Sequence, residues 1–177
     1  MRAVGESYEL EGVDWVTAGA VGEPGSRTFY IQARRGQDLL AVIVEKSQVQ
    51  WITRHAQELL NGVGVVVTPD DLDVDGQQLL EPIVPSWRAA TLGLGMDDGG
   101  EQFVIEAEEF DPDAADESEL GHIRIYCTRQ QIVGMVAFAA FVVEAGARES
   151  CRFCGRPIDA VDGHVCPAAN GHGPLTV

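Results

Sequence analysis

Lysine is almost missing from this chain of 177 residues: Lys46 is the only one, and arginine supplies the rest of the 12 basic residues. The bias reads as genomic composition, not as function. Against 28 acidic residues it leaves a formal charge of −16, which opposes unassisted binding to nucleic acid or anionic lipid because both repel an acidic surface. Long apolar runs are also lacking. No stretch reaches the ~20 apolar residues that span a bilayer, and Met1-Arg2-Ala3-Val4-Gly5-Glu6 holds no apolar run of the signal-peptide kind. A cytosolic setting is expected. Several catalytic signatures are absent as well: there is no G-x-S-x-G, no P-loop and no G-x-G-x-x-G leading into a helix. Gly93-Leu94-Gly95 falls in an expected hairpin and reads as turn chemistry. Cysteine is scarce, with four in all, and in a cytosolic chain such cysteines point to metal or catalysis before disulfides. What is present is a 45% hydrophobic content, enough for the core of one ordinary domain with a small appendage.

The chain contains an internal repeat. Thr17 to Ala33 (TAGAVGEPGSRTFYIQA) aligns without gaps with Thr91 to Ala107 (TLGLGMDDGGEQFVIEA), and six of the 17 pairs are identical: Thr17/Thr91, Gly19/Gly93, Gly25/Gly99, Phe29/Phe103, Ile31/Ile105 and Ala33/Ala107. Each copy reads as strand, glycine-rich turn and strand, with Phe29, Ile31 and Ala33 alternating as in a half-buried strand. A third strand follows, Leu39 to Val44 and His122 to Cys127. Each then meets an S/T-x-x-Q capping box, Ser47 to Gln50 and Thr128 to Gln131, in which hydroxyl and amide satisfy free donors of a first helical turn. Helices are expected from about Gln48 to Leu60 and from about Arg129 to Ala147. On this count the second copy carries seven extra residues, in the acidic loop Asp111 to Leu120.

The fold class expected is α+β: tandem β-β-β-α repeats packed as an internal pseudo-dimer, with antiparallel sheets, two helices and a zinc-knuckle tail. A duplicated domain takes residues 1–148, as repeat one over about 8–62, an acidic connector over about 68–85 and repeat two over about 86–148. The tail takes residues 149–177. The second helix is apolar on all sides over Ile132 to Val143, which favours a central core element. The other reading is a homo-oligomer interface through helix 129–147.

Residues 69–120 hold 16 acidic and one basic residue, so nearly all the charge sits mid-chain. There Asp71-Leu72-Asp73-Val74-Asp75-Gly76 opens like an EF-hand loop, but its twelfth position is Pro82 where a bidentate glutamate is needed. A hairpin over Leu72 to Leu80, turning at Asp75-Gly76, is preferred to calcium. Asp111, Asp113, Asp116, Glu117 and Glu119 read as a solvated linker.

The strongest chemical signal is the tail. Cys151-Arg152-Phe153-Cys154-Gly155 is a zinc-knuckle turn that aims two thiolates at one point, and His164-Val165-Cys166 follows nine residues later. Cys151, Cys154, His164 and Cys166 make a closed Cys₃His set, so the Zn²⁺ is expected to be structural; His172 is the alternative fourth ligand. A redox dithiol is disfavoured because the pair follows a helix and enters Gly/Pro-rich chain. Cys127 reads as a buried apolar residue, and His55 and His122 as lone histidines without a catalytic partner. No catalytic residues are assigned.

The sequence CRFCGRP…GHVCPAANGH, behind a body of about 150 residues, resembles a family of actinobacterial proteins of unknown function that end in C-x-x-C-G-x-P…G-H-x-C-P-x-x-N-G. The resemblance implies the same metal ligands and a cytosolic setting, and supplies no mechanism. The leading functional expectation is a zinc-binding, non-enzymatic adaptor or regulatory protein that acts through protein contacts. One alternative is single-stranded nucleic-acid binding of whirly or PUR type, using Arg27, Phe29, Tyr30, Arg34 and Arg35 with Arg148, Arg152, Phe153 and Arg156 of the tail. The acidic Glu101, Glu106, Glu108 and Glu109 oppose it in the second copy. A second alternative is an enzyme with a pocket between the repeats.

Overall fold

A computed structural model of the chain describes residues 6–116 and 119–145. Its strands and long helices are β1 (Tyr8–Leu10), β2 (Trp15–Val21), β3 (Thr28–Arg35), β4 (Asp38–Val44), α1 (Lys46–Gly62), β5 (Ala89–Met96), β6 (Phe103–Glu109), β7 (His122–Cys127) and α2 (Arg129–Ala145). β2, β3 and β4 form one antiparallel sheet, and a second runs in the order β1-β7-β6-β5. The fold is α+β. Phe29, Ile31 and Ala33, at most 7% exposed, alternate into the core as expected, and Phe103, Ile105 and Ala107 do the same. One continuous apolar cluster joins these residues to Val49, Ile52 and Ala56 of α1 and to Ile132, Met135 and Ala139 of α2. β1 departs from the expected grouping: Tyr8 to Leu10 pair in parallel with Ile123 to Ile125, so the first strand of the chain closes the sheet of the second half.

The pairing registers refine the sequence alignment. Phe29 faces Val44 and Phe103 faces Cys127, so β3 and β6 match as the identities suggest. In the neighbouring strand Gly19 faces Tyr30, whereas Gly95, not Gly93, faces Val104. β5 is therefore shifted two residues relative to the alignment, which keeps the same side chains on each face because the pleat repeats every two residues. The turns compensate: Gly25 has φ 95° and Gly100 has φ 68°, while Gly99 has no positive φ. A left-handed conformation is tolerated by glycine and strained for most others.

Both helices are apolar where they meet the core, but only α2 starts as expected. α2 has the expected box, with Thr128 N–H donating to Gln131 Oε1 (2.8 Å) and Gln131 N–H to Thr128 Oγ1 (3.3 Å). α1 begins earlier than the predicted Ser47 box. Glu45 is its cap, its N–H donating to Gln48 Oε1 at 2.7 Å, because Gln48 stands at the third helical position and Gln50 does not. With the start corrected, the β6–β7 connection is nine residues longer than the β3–β4 one, not seven, as the Phe29↔Val44 and Phe103↔Cys127 pairs require. α2 lies along β2 and α1 against β5, and the helices pack on each other. Ile132, Met135, Val136, Phe138, Ala139 and Val142 of α2 are buried within the chain, as the core reading of this helix expects.

The predicted Leu72–Leu80 hairpin is absent. A short turn over Val74–Gln77, held by Asp73 Oδ1 accepting from Gly76 N–H (2.9 Å), leads into a strap that crosses the first sheet. Trp15 Nε1 donates to Gly76 O (2.7 Å), Thr17 Oγ1 to Gln77 O (2.6 Å), and the amide of Gln32 bonds both the C=O (2.9 Å) and the N–H (2.7 Å) of Leu80. A strand pairing here is replaced because side chains of β2 and β3 take the strap's backbone groups. A Cβ at Gly19 would lie 2.8 Å from Leu79 Cγ, so glycine is what lets the strap sit this close. The chain then joins the β4 edge, with Ser86 N–H on Ala41 O and Ile43 N–H on Trp87 O, both 2.9 Å, and continues into β5.

Two expected outcomes follow from this packing. Gln32→Ala strips both Leu80 backbone groups of their partner, and chemical denaturation is expected to register a loss of about 1–3 kcal/mol. Cys127 is fully buried, and burial pushes its thiol up from 9.0 to about 12. The unfolded thiol ionises first as pH rises, so the unfolded state binds fewer protons and this group's contribution to stability falls from about pH 9 upward. Thiol-reagent labelling of native protein at pH 8 should leave Cys127 unmodified until denaturant is added.

Candidate functional site

The second sheet presents a face that nothing in the described residues covers, on the side away from its core residues. Its positions come from the outward register of β7, β6 and β5: Arg124 and Tyr126, Val104, Glu106 and Glu108, and Thr91, Gly93 and Gly95, with Glu9 of β1 at the margin. Cross-strand neighbours are close enough to pair, and most do. Arg124 Nε donates to Glu106 Oε1 (2.6 Å), Thr91 Oγ1 to Glu108 Oε2 (2.9 Å), and Tyr126 OH to Glu9 Oε1 (2.9 Å). The Glu106 carboxylate raises the pKa of Arg124, and the hydrogen bond to Glu9 raises that of Tyr126. Both groups stay in their usual protonation state at neutral pH.

At one end, beneath the β5–β6 turn, the face opens into a cleft of about 410 Å³ lined by Met96, Asp97, Asp98, Val104, Glu106 and Tyr126 among others. Asp97 Oδ1 accepts the N–H groups of Glu101 (2.8 Å) and Gln102 (2.9 Å). The Gln102 amide, the largest influence, holds this carboxyl below its ordinary pKa. The cleft thus has a rim with Asp97 and Asp98, the paired Arg124 and Glu106 together with Tyr126 on its wall, and Val104 in its floor. Gly95 adds no side chain above β5, where a Cβ would meet nothing within 4 Å. That chemistry suits a basic side chain with an aliphatic stem, whose charge meets carboxylates while its methylenes lie on the floor.

The residues singled out from sequence fare unevenly. Cys151, Cys154, His164, Cys166 and His172 lie outside the described residues, as do Arg148, Arg152, Phe153, Arg156 and Glu117. Cys127 is the buried apolar residue expected. His55 does have partners: it stacks on Trp51 with ring centroids 5.0 Å apart, and Nδ1 lies 3.6 Å from Glu58. His122 stands opposite Glu108 in the sheet. In the calcium-like segment, Asp71 Oδ2 accepts from Thr68 N–H and Oγ1, and Asp73 from Gly76, so these carboxylates serve the local turns. Among the described residues no group of three or more His, Cys, Asp or Glu is arranged to hold a metal.

Of the nucleic-acid candidates, Phe29 is in the core and offers no ring for stacking. Arg27 is occupied by Gly22 O and Val142 O, and Arg35 lies 3.9 Å from Asp38. Glu109 is not on the acidic face; it is 5% exposed and accepts Gly121 N–H at 3.0 Å, closing the base of the acidic loop. In that mostly exposed loop Asp111 accepts Asp113 N–H and Glu119 accepts Ala115 N–H, so these two carboxylates also serve local turns. Between the helices, Gln50, Thr53, Arg54, Gln57, Val143 and Glu144 line a further cleft of about 470 Å³. Nothing in the local sequence marks Trp87 as structurally important. It is 6% exposed, donates to Glu6 O (3.3 Å), and sits so close to Gly121 that a Cβ there would lie 2.5 Å from its Nε1. No helix among the described residues is long and apolar enough to cross a membrane.

No curated protein and no solved structure matches the chain. The model of a family described as Protein of unknown function (DUF3090) matches residues 8–166, from β1 through α2 and on to the third of the tail cysteines, and the chain belongs to that family.

Proposed function

We propose that the chain is a cytosolic, non-enzymatic adaptor or regulatory protein that docks a basic partner protein on the open face of its second sheet and carries a structural zinc in its tail. One observation carries this reading: the strap covers the outward face of the first sheet, while no described residue covers the matching face of the second, which is already ordered by the Glu106–Arg124 and Glu9–Tyr126 pairs. Side chains held in place before binding lose little freedom when a partner arrives. The carboxylates at its rim favour a positively charged surface and would speed its encounter.

The two β-β-β-α successions are taken as a duplicated unit packed as an internal pseudo-dimer. The shared register of β3 and β6 and the exchange by which each helix lies on the first strand of the other half support this. The zinc proposal rests on Cys151, Cys154, Cys166 and His164, with His172 as the alternative fourth ligand. Four protein ligands leave no open position for substrate, so the metal folds the tail and does no chemistry.

A photo-crosslinking side chain at Thr91, on the open face, is expected to give discrete protein adducts in cells, while one at the exposed Gln50 on α1 gives none. Glu106→Arg is expected to weaken capture of that adducted partner by roughly tenfold, with a further loss at high salt. Equal crosslinking from both positions would remove the docking face. Metal analysis should find one zinc per chain, lost in Cys154→Ser and reduced in His164→Ala but not in His172→Ala. Folded, zinc-free protein would overturn the metal proposal, and loss on His172→Ala alone would reassign the fourth ligand.

A further inference from the structure

The exposed apolar surface of the body is not evenly spread. Of the eight large hydrophobic side chains that are exposed among the described residues, Val21 (47%), Phe141 (41%) and Val74 (37%) line one cleft of about 340 Å³ with Phe138 and Leu79. β2, the strap and the last turns of α2 each contribute a wall. Solvent-exposed apolar patches of this kind mark contact sites more often than scattered single residues do.

We infer that this cleft is the seat of the chain's own tail, residues 146–177, and that the tail is held there as a metal-folded unit; the inference rests on the zinc proposal above. Several observations converge on this occupant. The last described turns of α2 stand at the cleft and are fixed there: Arg27 Nη1 donates to Val142 O (3.2 Å) and Arg27 Nε to Gly22 O (3.3 Å), tying them to the β2–β3 turn. Ala145, the last described residue, is one helical turn beyond Phe141. The five residues before Cys151 span at most about 17 Å, so the first cysteine pair stays within reach of the cleft.

The tail gains from a surface. It carries Phe153, Ile158, Val161 and Val165 around its cysteines, and a segment of this length has too little core of its own to bury them all, so a metal and an apolar surface on the body act together. Charge agrees with the fit. Arg152 lies between the two cysteines of the first pair and Arg156 two residues after it, and Glu81 stands on the wall of the cleft.

Hydrogen exchange on the full-length protein tests this, with zinc content measured on every sample. Phe141→Ser is expected to raise exchange in the peptides covering Cys151–Cys166 by roughly tenfold, since it removes a partly buried aromatic contact. Exchange in β5, β6 and β7 should not change, which shows that the body remains folded. Val74→Ser should act in the same direction, and Phe110→Ser, exposed elsewhere, should leave the tail unchanged. Tail exchange indifferent to Phe141→Ser and Val74→Ser overturns the inference. So does a cleft protected only as protein concentration rises, which would make a second copy the occupant. Zinc absent from protein whose tail still responds to Phe141→Ser would remove the metal and keep the seat; one zinc per chain with an indifferent tail would do the reverse.

Discussion

The body of this protein depends on a seam. Neither half can bury its sheet and helix alone, because a sheet has two faces and one helix covers only part of one of them. The halves are brought together where Ser86 and Trp87 add to the edge of β4, and that edge pairing passes directly into β5. Trp87 locks the join from inside: its indole fills the space left by Gly121 and bonds the chain at Glu6. Around it Arg88 reaches Glu45 at the cap of α1. With the seam in place, α1 meets β5 and α2 meets β2, and a single core results.

The two sheets are treated unequally once this core is built. Polar side chains on the outward face of the first sheet, Trp15, Thr17 and Gln32, are turned to the strap's backbone. Buried polar groups must be paired, and an amide such as Gln32 meets that demand by bonding one residue's C=O and N–H together. On the second sheet the same outward positions hold Glu106, Arg124 and Tyr126, which pair with each other or with Glu9 across strands and remain in contact with water. The difference between a covered and an open face is thus written in side-chain chemistry, not in the strand pattern.

Much of the fold was legible. Phe29, Ile31 and Ala33 alternate as sheet residues must, their counterparts in β6 do likewise, and Thr128 with Gln131 marks a helix start that forms as read. The errors have physical causes. Asp75-Gly76 suits a hairpin turn, yet hairpins need a partner strand, and here Gln32 and Thr17 bind the backbone first. Ser47 suits a cap, yet Gln48 is the residue that reaches back, to Glu45. Glu109 reads as one of a run of surface acids, and a run of like charges gives no sign that the peptide of Gly121 will need an acceptor inside. The open face was legible only as an acidic segment, since pairs such as Tyr126 with Glu9 join residues far apart in the chain.

The sequence by itself determined the local elements, the shared alternation of β3 and β6, the apolar character of Cys127 and the spacing of the tail's cysteines and histidines, because each is read from neighbours within a few residues. Tertiary structure alone decided that Tyr8–Leu10 completes the distant sheet, that the acidic connector is a strap with Asp71 and Asp73 in local turns, and that Trp87 is the join. Those outcomes turn on which backbone groups remain unpaired and which apolar surfaces remain uncovered after the strands have met, and no short stretch of sequence carries that information.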